Sequence, residues 1–561
     1  MNSPLPGKPL VWSPSGASDT LDSSTAPDGA MALLSNLIPD PTTKNLWQCR
    51  PAAILLAAMG VGGPSPFSSG FSSGFGATPF MAATFVSCWK VVGTRLYGMI
   101  STGLNAGHDQ PFAFDLVAGV FLPISGITNA NTPVSPQTSG AWVPPNMDLI
   151  GVNIIVAHPG FSGAGGAFFG VINTSNPAAL TWTAQNTTTN ALVAPPQWVS
   201  NFNGRCFFLV NPPGAQPAAY MSDQLNALNI TNASQILTFG DNVPLTAAAG
   251  LPLENQLGGI VQSLMIFKSS ANIYQITGDF SLTNLAVNSL NVATGTNAPL
   301  TIASTSKGLA FVAPDGVRMI DFDARVSDPI GADGQGINVP FTNIPVPSRA
   351  CGAYNSGVYR VQIQNGNAPG IPQQQWWFDF VRTIWSGPHT QTVTQITPYA
   401  GTFLVVLANT FAAIWQSDSI QSINSIFTEN GTALQWQWAT PMLPEAGEMS
   451  EIAMIETTLM LAVTSGSPVN VSAQDQTGRV IDSVTITPSG ATSLWGAFTW
   501  GAALWQSVVN ALFSRQMQWH FPLVFKRIGI VASGASSLGV KIGRLHLRYQ
   551  TLGYLQQSQN L

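Results

Sequence analysis

One local event recurs down this chain. An apolar strand is followed by a turn of small or polar residues, then by a second strand carrying aromatics. Copies begin at Val86 (VSCWKVVGTRLYGMIS), Val152, Arg205, Ser263, Gly308 (GLAFVAPDGVRMIDFD), Ala353 and Thr402 (TFLVVLANTFAAIWQSD). Their starts are separated by 66, 53, 58, 45, 45 and 49 residues. Pro159-Gly160, Pro314-Asp315-Gly316 and Asn355-Ser356-Gly357 supply tight reversals, and β-branched and aromatic residues fill the flanks, as pleated strands prefer. A period of about fifty residues is that of a four-stranded propeller blade. A blade alone leaves both faces bare, whereas several arranged radially cover one another and keep only short edges. The rival reading is a string of β-sandwiches, which would show cores of about a hundred residues joined by linkers. No such linker is evident between Val86 and Asp418. The expectation is therefore an all-β fold whose centre, residues 86–428, is a β-propeller of six or seven blades.

A second repeat lies inside the first. FAFDLVAGVF, Phe112 to Phe121, aligns with WWFDFVRTIW, Trp376 to Trp385, matching Phe114 with Phe378 and Asp115 with Asp379. Both read as the outer hairpin of a blade. Asp379 is expected to cap its turn through its own backbone, and Trp377 and Trp385 to pack between neighbouring blades. Aromatics that recur at equivalent strand positions behave as core residues; an aromatic sugar-binding cage is the competing reading.

The flanks differ. Residues 1–48 are rich in Pro, Ser, Asp and Thr and read as an extended arm, followed by a connecting or platform segment at 49–85. The stretch 211–259 is long and polar, too long for a simple turn, and is expected to project from a blade. Residues 429–561 alternate apolar and polar positions between Gly turns, the pattern of a separate antiparallel β domain, a platform or sandwich.

Signals for chemistry are poor. Gly70-Phe71-Ser72-Ser73-Gly74 matches a nucleophile elbow in letters, but neither the strand before it nor the helix after it is present. His108, His158 and His389 each sit beside Gly or Pro, as turn-stabilising imidazoles do. No pair of carboxylates flanks an aromatic cleft as a glycosidase needs, and Glu445, Glu448 and Glu451 read as a solvated face. Cys49, Cys88, Cys206 and Cys351 are far apart and look like small buried apolar residues. No catalytic residue, metal ligand or cofactor site is expected, and the chain is read as not an enzyme.

Composition bears on partners. Charged residues make up 8% of the chain, against roughly 25% in ordinary soluble domains, so much of the surface is expected to be covered by other subunits. The net charge of −5 and the lack of any Lys/Arg run give no footprint for gripping nucleic acid. The opening residues, MNSPLPGKPL, lack the charged and apolar regions of a secretory signal. The longest apolar run, Ala52 to Val61, is about half a bilayer span.

Several segments in this order resemble the tail nozzle (tail tubular) proteins of short-tailed bacteriophages. They are RLYGMIS with AGHDQPFAFDL, the run from Ile127 to Phe161, AAYMSDQLNA, GGIVQSLMIFKSSANIYQITGD, YRVQIQNG with WWFDFVRTIWSGPHT, and GRLHLRYQTLGYL. The resemblance implies a hexameric ring at the distal end of a short tail, below the portal and its adaptor. It also implies a virion protein assembled in the host cytoplasm that retains packaged DNA, anchors fibres or tailspikes, and conducts DNA at ejection without reading its sequence. It brings no enzymatic residues. An excess of acid over base suits a conduit, since phosphate is repelled rather than held, and 211–259 is a candidate tip loop. A carbohydrate-binding or depolymerising propeller of the tail is the alternative function.

Overall fold

In the computed structural model the described residues are 8–12, 16–18, 30–40, 46–58, 85–101, 107–135, 143–254, 260–278, 285–332, 336–363, 374–407, 413–417, 428–429, 432–443, 452–463, 468–486, 513–517, 519, 524–525, 527–536 and 540–551. Apart from five short 3-10 turns, every regular element among them is a strand. The chain is all-β.

Seven sheets follow one another along 85–417, and each runs antiparallel in chain order. Blade 1 holds Phe85–Val92, Arg95–Ser101, Asp109–Asp115 and Val120–Leu122. Blade 2 spans 146–185, with Ile124–Ser125 added in parallel at its outer edge. Blade 3 spans 198–238, blade 4 spans 245–289, and blade 5 has three strands over 303–320. Blade 6 holds Cys351–Asn355, Val358–Ile363, Gln374–Asp379 and Ile384–His389. Blade 7 holds Val393–Tyr399, Thr402–Leu407 and Ala413–Ser417, and borrows its outermost strand, Ile54–Ala58, from before blade 1.

The energetic logic lies between the sheets. Each pair of consecutive blades shares its own apolar cluster: Cys88 and Met99 with Ile154 and Val156 for blades 1 and 2, Phe169 with Phe208 for 2 and 3, Phe207 with Ile266 for 3 and 4, and Phe267 with Phe311 for 4 and 5. Val312 with Val361 and Cys351 with Val405 continue the series through blades 6 and 7. Val86 and Phe114 of blade 1 then pack with Leu404 and Ile414 of blade 7. Strand interiors such as Gly308–Ala313 are buried on both faces, which is why they read as continuous apolar runs rather than alternating ones. This is a seven-bladed β-propeller.

The C-terminal part is a sandwich. One sheet contains Thr432–Ala439, Gly529–Ser536, Val469–Gln474 and Val480–Ile486; the other contains Ile452–Val463, Val540–Thr551 and Phe513–Met517. Trp436, Trp438 and Ile530 of the first meet Leu459, Leu545 and Leu547 of the second in one core.

Three expectations are corrected here. Residues 1–48 do not form a free arm over their described part: Lys8–Trp12, Leu37–Pro39 and Trp47–Cys49 are strands of the second sandwich sheet. Leu33–Ser35 lies between blade 6 and the first sandwich sheet, pairing with Ile384–His389 on one side and Thr432–Ala439 on the other. Met31, Leu34 and Leu37 are fully buried there; the run MALLSNLIP, Met31 to Pro39, does not alternate apolar with polar and so gave no strand period to read. The segment 49–85 likewise contributes a blade strand rather than only a connection. The stretch 211–259 is not a projecting insertion either, because Ala218–Met221 and Ile236–Thr238 complete blade 3 and Leu245–Glu254 opens blade 4. Its polar residues tie turns down: Asp223 accepts from Thr231, Gln235 and Asn229 side chains.

Candidate functional site

The first strands of successive blades stand side by side around a common axis, and between them lies a cavity of about 340 Å³. Blades 1, 2, 3, 4, 5 and 7 all contribute to its lining. Its two charges are Lys90 of blade 1 and Asp148 of blade 2, with Nζ and Oδ1 3.1 Å apart. Asp148 is fixed further: the Leu149 N–H donates to Oδ1 (2.9 Å) and the Asn201 N–H to Oδ2 (2.8 Å). Two indoles stand in the wall. Trp198 donates its N–H to the Ala248 carbonyl at 3.2 Å, and the Trp89 N–H has no acceptor among the described residues. Asp148 is the one carboxylate among the described lining residues. Sequence reasoning named none of these side chains, since no motif links positions spread over three hundred residues.

The residues that the sequence singled out lie elsewhere. Asp115 and Asp379 occupy equivalent turns between the third and fourth strands of blades 1 and 6. Asp115 Oδ1 accepts from the Val117 and Ala118 N–H groups, and Asp379 Oδ1 from those of Val381 and Arg382. Phe114 is packed on Phe121, and Phe378 on Trp385. Trp385 faces the blade 5 side, against Phe341. Trp377 faces blade 7: the Arg360 guanidinium sits 3.6 Å from its ring centre and 4.0 Å from that of Phe403. This is packing across blade interfaces, not a cage open to a ligand. Burial, with Arg50 nearby, depresses the Arg360 pKa well below the usual arginine range.

Nor do the histidines stand at turns for one shared reason. His389 is fully buried beside Trp377, and burial holds its pKa well below the ordinary imidazole value. His158, also fully buried, accepts the Gly160 N–H on Nδ1 (3.0 Å), so its proton sits on Nε2 and points at Asp109 Oδ2 (2.9 Å). Ser101 donates to the other Asp109 oxygen (2.5 Å). Burial alone would raise the Asp109 pKa, but the bonds from His158, Ser101 and Ser135 outweigh it and hold the carboxyl below its ordinary range. The serine faces the carboxylate, not the imidazole, so this is no nucleophile–base pair. His108 bonds the Thr132 carbonyl at 2.7 Å. Gly70 to Gly74 and Glu445 to Glu451 lie outside the described residues. Among the described residues no three His, Cys, Asp or Glu side chains converge as metal ligands, and no helix is long and apolar enough to cross a membrane.

No family model matches this chain, and no curated protein does. Solved structures do. An exo-β-1,3-galactanase from Phanerochaete chrysosporium is 8% identical, with 88% of this chain and all of that one covered, at a TM-score of 0.23. A Trypanosoma rangeli sialidase is 8% identical over 84% and 92% at 0.28, and the WD40 domain of fission-yeast SCAP is 8% identical over 81% and 96% at 0.29. Glycoside hydrolases and peptidases recur among these matches, so the expectation that the chain is not an enzyme is corrected and does not stand. Likenesses this distant transfer no substrate, reaction or residue role.

Proposed function

We propose that this chain is a ring-forming structural subunit, a tail nozzle of a short-tailed phage. It would sit in the virion tail as a hexamer below the adaptor and portal, hold fibres or tailspikes, and let genomic DNA pass. The observation that carries this reading is the seam at Leu33–Ser35, where one short strand joins blade 6 to the sandwich in a continuous sheet. That strand meets blade 6 at one residue pair, Gly387 with Leu34, and the sandwich at three, so backbone pairing reaches from one domain to the other. A chain with 8% charged residues also suits burial against copies of itself, and a heterologous contact that closes gives a ring. Native mass spectrometry and negative-stain imaging with the adaptor ring present test it. Six chains of 59.1 kDa give an assembly of about 355 kDa with six-fold symmetry; a monomer that ignores the adaptor overturns the reading.

A second reading, a carbohydrate-binding or depolymerising propeller of the tail, is favoured by one observation. The axial cavity combines an ion pair with two indoles, the polar-plus-aromatic lining typical of small-ligand sites.

A further inference from the structure

We propose that the axial cavity takes a single neutral sugar unit by its vicinal hydroxyls; this rests on the carbohydrate reading above. The argument is one of unfilled hydrogen-bonding capacity. A carboxylate offers about four lone-pair sites. Among the described residues Asp148 spends two, on the Leu149 and Asn201 N–H groups, and at most a third on the ion-paired Lys90, which leaves at least one. An ammonium carries three donors, and Lys90, ion-paired to Asp148, gives it at most one, which leaves at least two. The open donors and the open acceptor lie on neighbouring groups 3.1 Å apart. Two hydroxyls on adjacent carbons fit that arrangement, one accepting from Lys90 and the other donating to Asp148. Lys90 is 43% exposed, so the pair is reachable and weakly held.

Charge selects the ligand class. Lys90 and Asp148 cancel, so a phosphate, sulfate or carboxylate gains no net attraction, while a polyol has nothing to neutralise. Trp89 and Trp198 supply apolar wall for the C–H faces of a sugar ring. A volume of about 340 Å³ is at the small end for ligand sites, roughly 300–1,000 Å³, and suits a single ring rather than a long chain. Ser304 stands exposed at the lining.

The test uses the full chain on an array of neutral, sulfated and sialylated glycans, with calorimetry on the strongest neutral binder. The expected result is binding to neutral glycans, weakened about tenfold or more by Lys90→Met and by Ser304→Trp, two changes at exposed positions that leave the melting temperature in place. A preference for sulfated or sialylated glycans overturns the proposal in favour of an anion site. Neutral binding that both variants retain in full also overturns it, and puts the sugar elsewhere on a propeller that does bind carbohydrate. Silence on every glycan sinks this inference and the carbohydrate reading together.

Discussion

Gly119 and Thr383 hold the same place in two blades, four residues after the turn aspartate, and both have positive φ, +67° and +57°. The left-handed conformation costs a side chain roughly 1–2 kcal/mol, most for a β-branched one. A Cβ at Gly119 would meet nothing within 4 Å, so Gly119→Ala reports backbone strain alone and is expected to cost about 1 kcal/mol. Thr383→Gly should move the other way, by a few tenths of a kcal/mol, since relief of strain is partly offset by a freer unfolded chain. Denaturant titration of both variants checks the opposite signs. The buried Asp109 makes a different prediction. Its folded pKa is lowered, so its stabilisation is fully present above the unfolded carboxyl value, about 4, and is lost as pH falls below that through the folded value. Asp109→Asn should therefore flatten the acid limb of the stability curve below about pH 4 while lowering stability at neutral pH by about 1–3 kcal/mol.

At the scale of elements, Ile54–Ala58 decides whether blade 7 has an outer edge. It pairs along Ala413–Ser417 and lies before blade 1 in sequence, so the propeller is fastened by a strand from its own beginning. Replacing those five residues with a glycine–serine segment of equal length should raise amide exchange across Ala413–Ser417 by at least tenfold. Blade 4, whose four strands are consecutive in sequence, should be unchanged. Equal protection in both versions would show that the borrowed strand is not what holds the blade. Asn36 does comparable service at the seam. At φ +55°, it donates to Thr390 and Gln435 and accepts from Arg50, so one small amide ties blade 6 to the sandwich. Hairpins were legible because each is local: the turn residues and strand period sit within twenty residues. The borrowed strand and the ties from Asn36 to Thr390 and Gln435 were not, because those partners are more than 350 positions away.

For the whole molecule, the sparse charge has a consequence in solution. An interface made from Ser, Thr, Asn, Gln and apolar side chains is little screened by ions, because screening acts on charge pairs. The six-fold assembly expected above should thus survive 1 M NaCl in analytical ultracentrifugation, and its dissociation there would mean that the few ion pairs carry the contact.

The recurrent hairpins, their turn residues and their aromatic strands determined by themselves that the fold is all-β and built of repeated units, because strand period and turn geometry depend on near neighbours. Tertiary structure alone decided that there are seven blades, that short strands between Lys8 and Ala58 are sewn into both domains, and that Lys90 meets Asp148 on the axis. Those outcomes depend on which distant strands come to share a ladder or a cavity, and no local pattern of residue types encodes that distance.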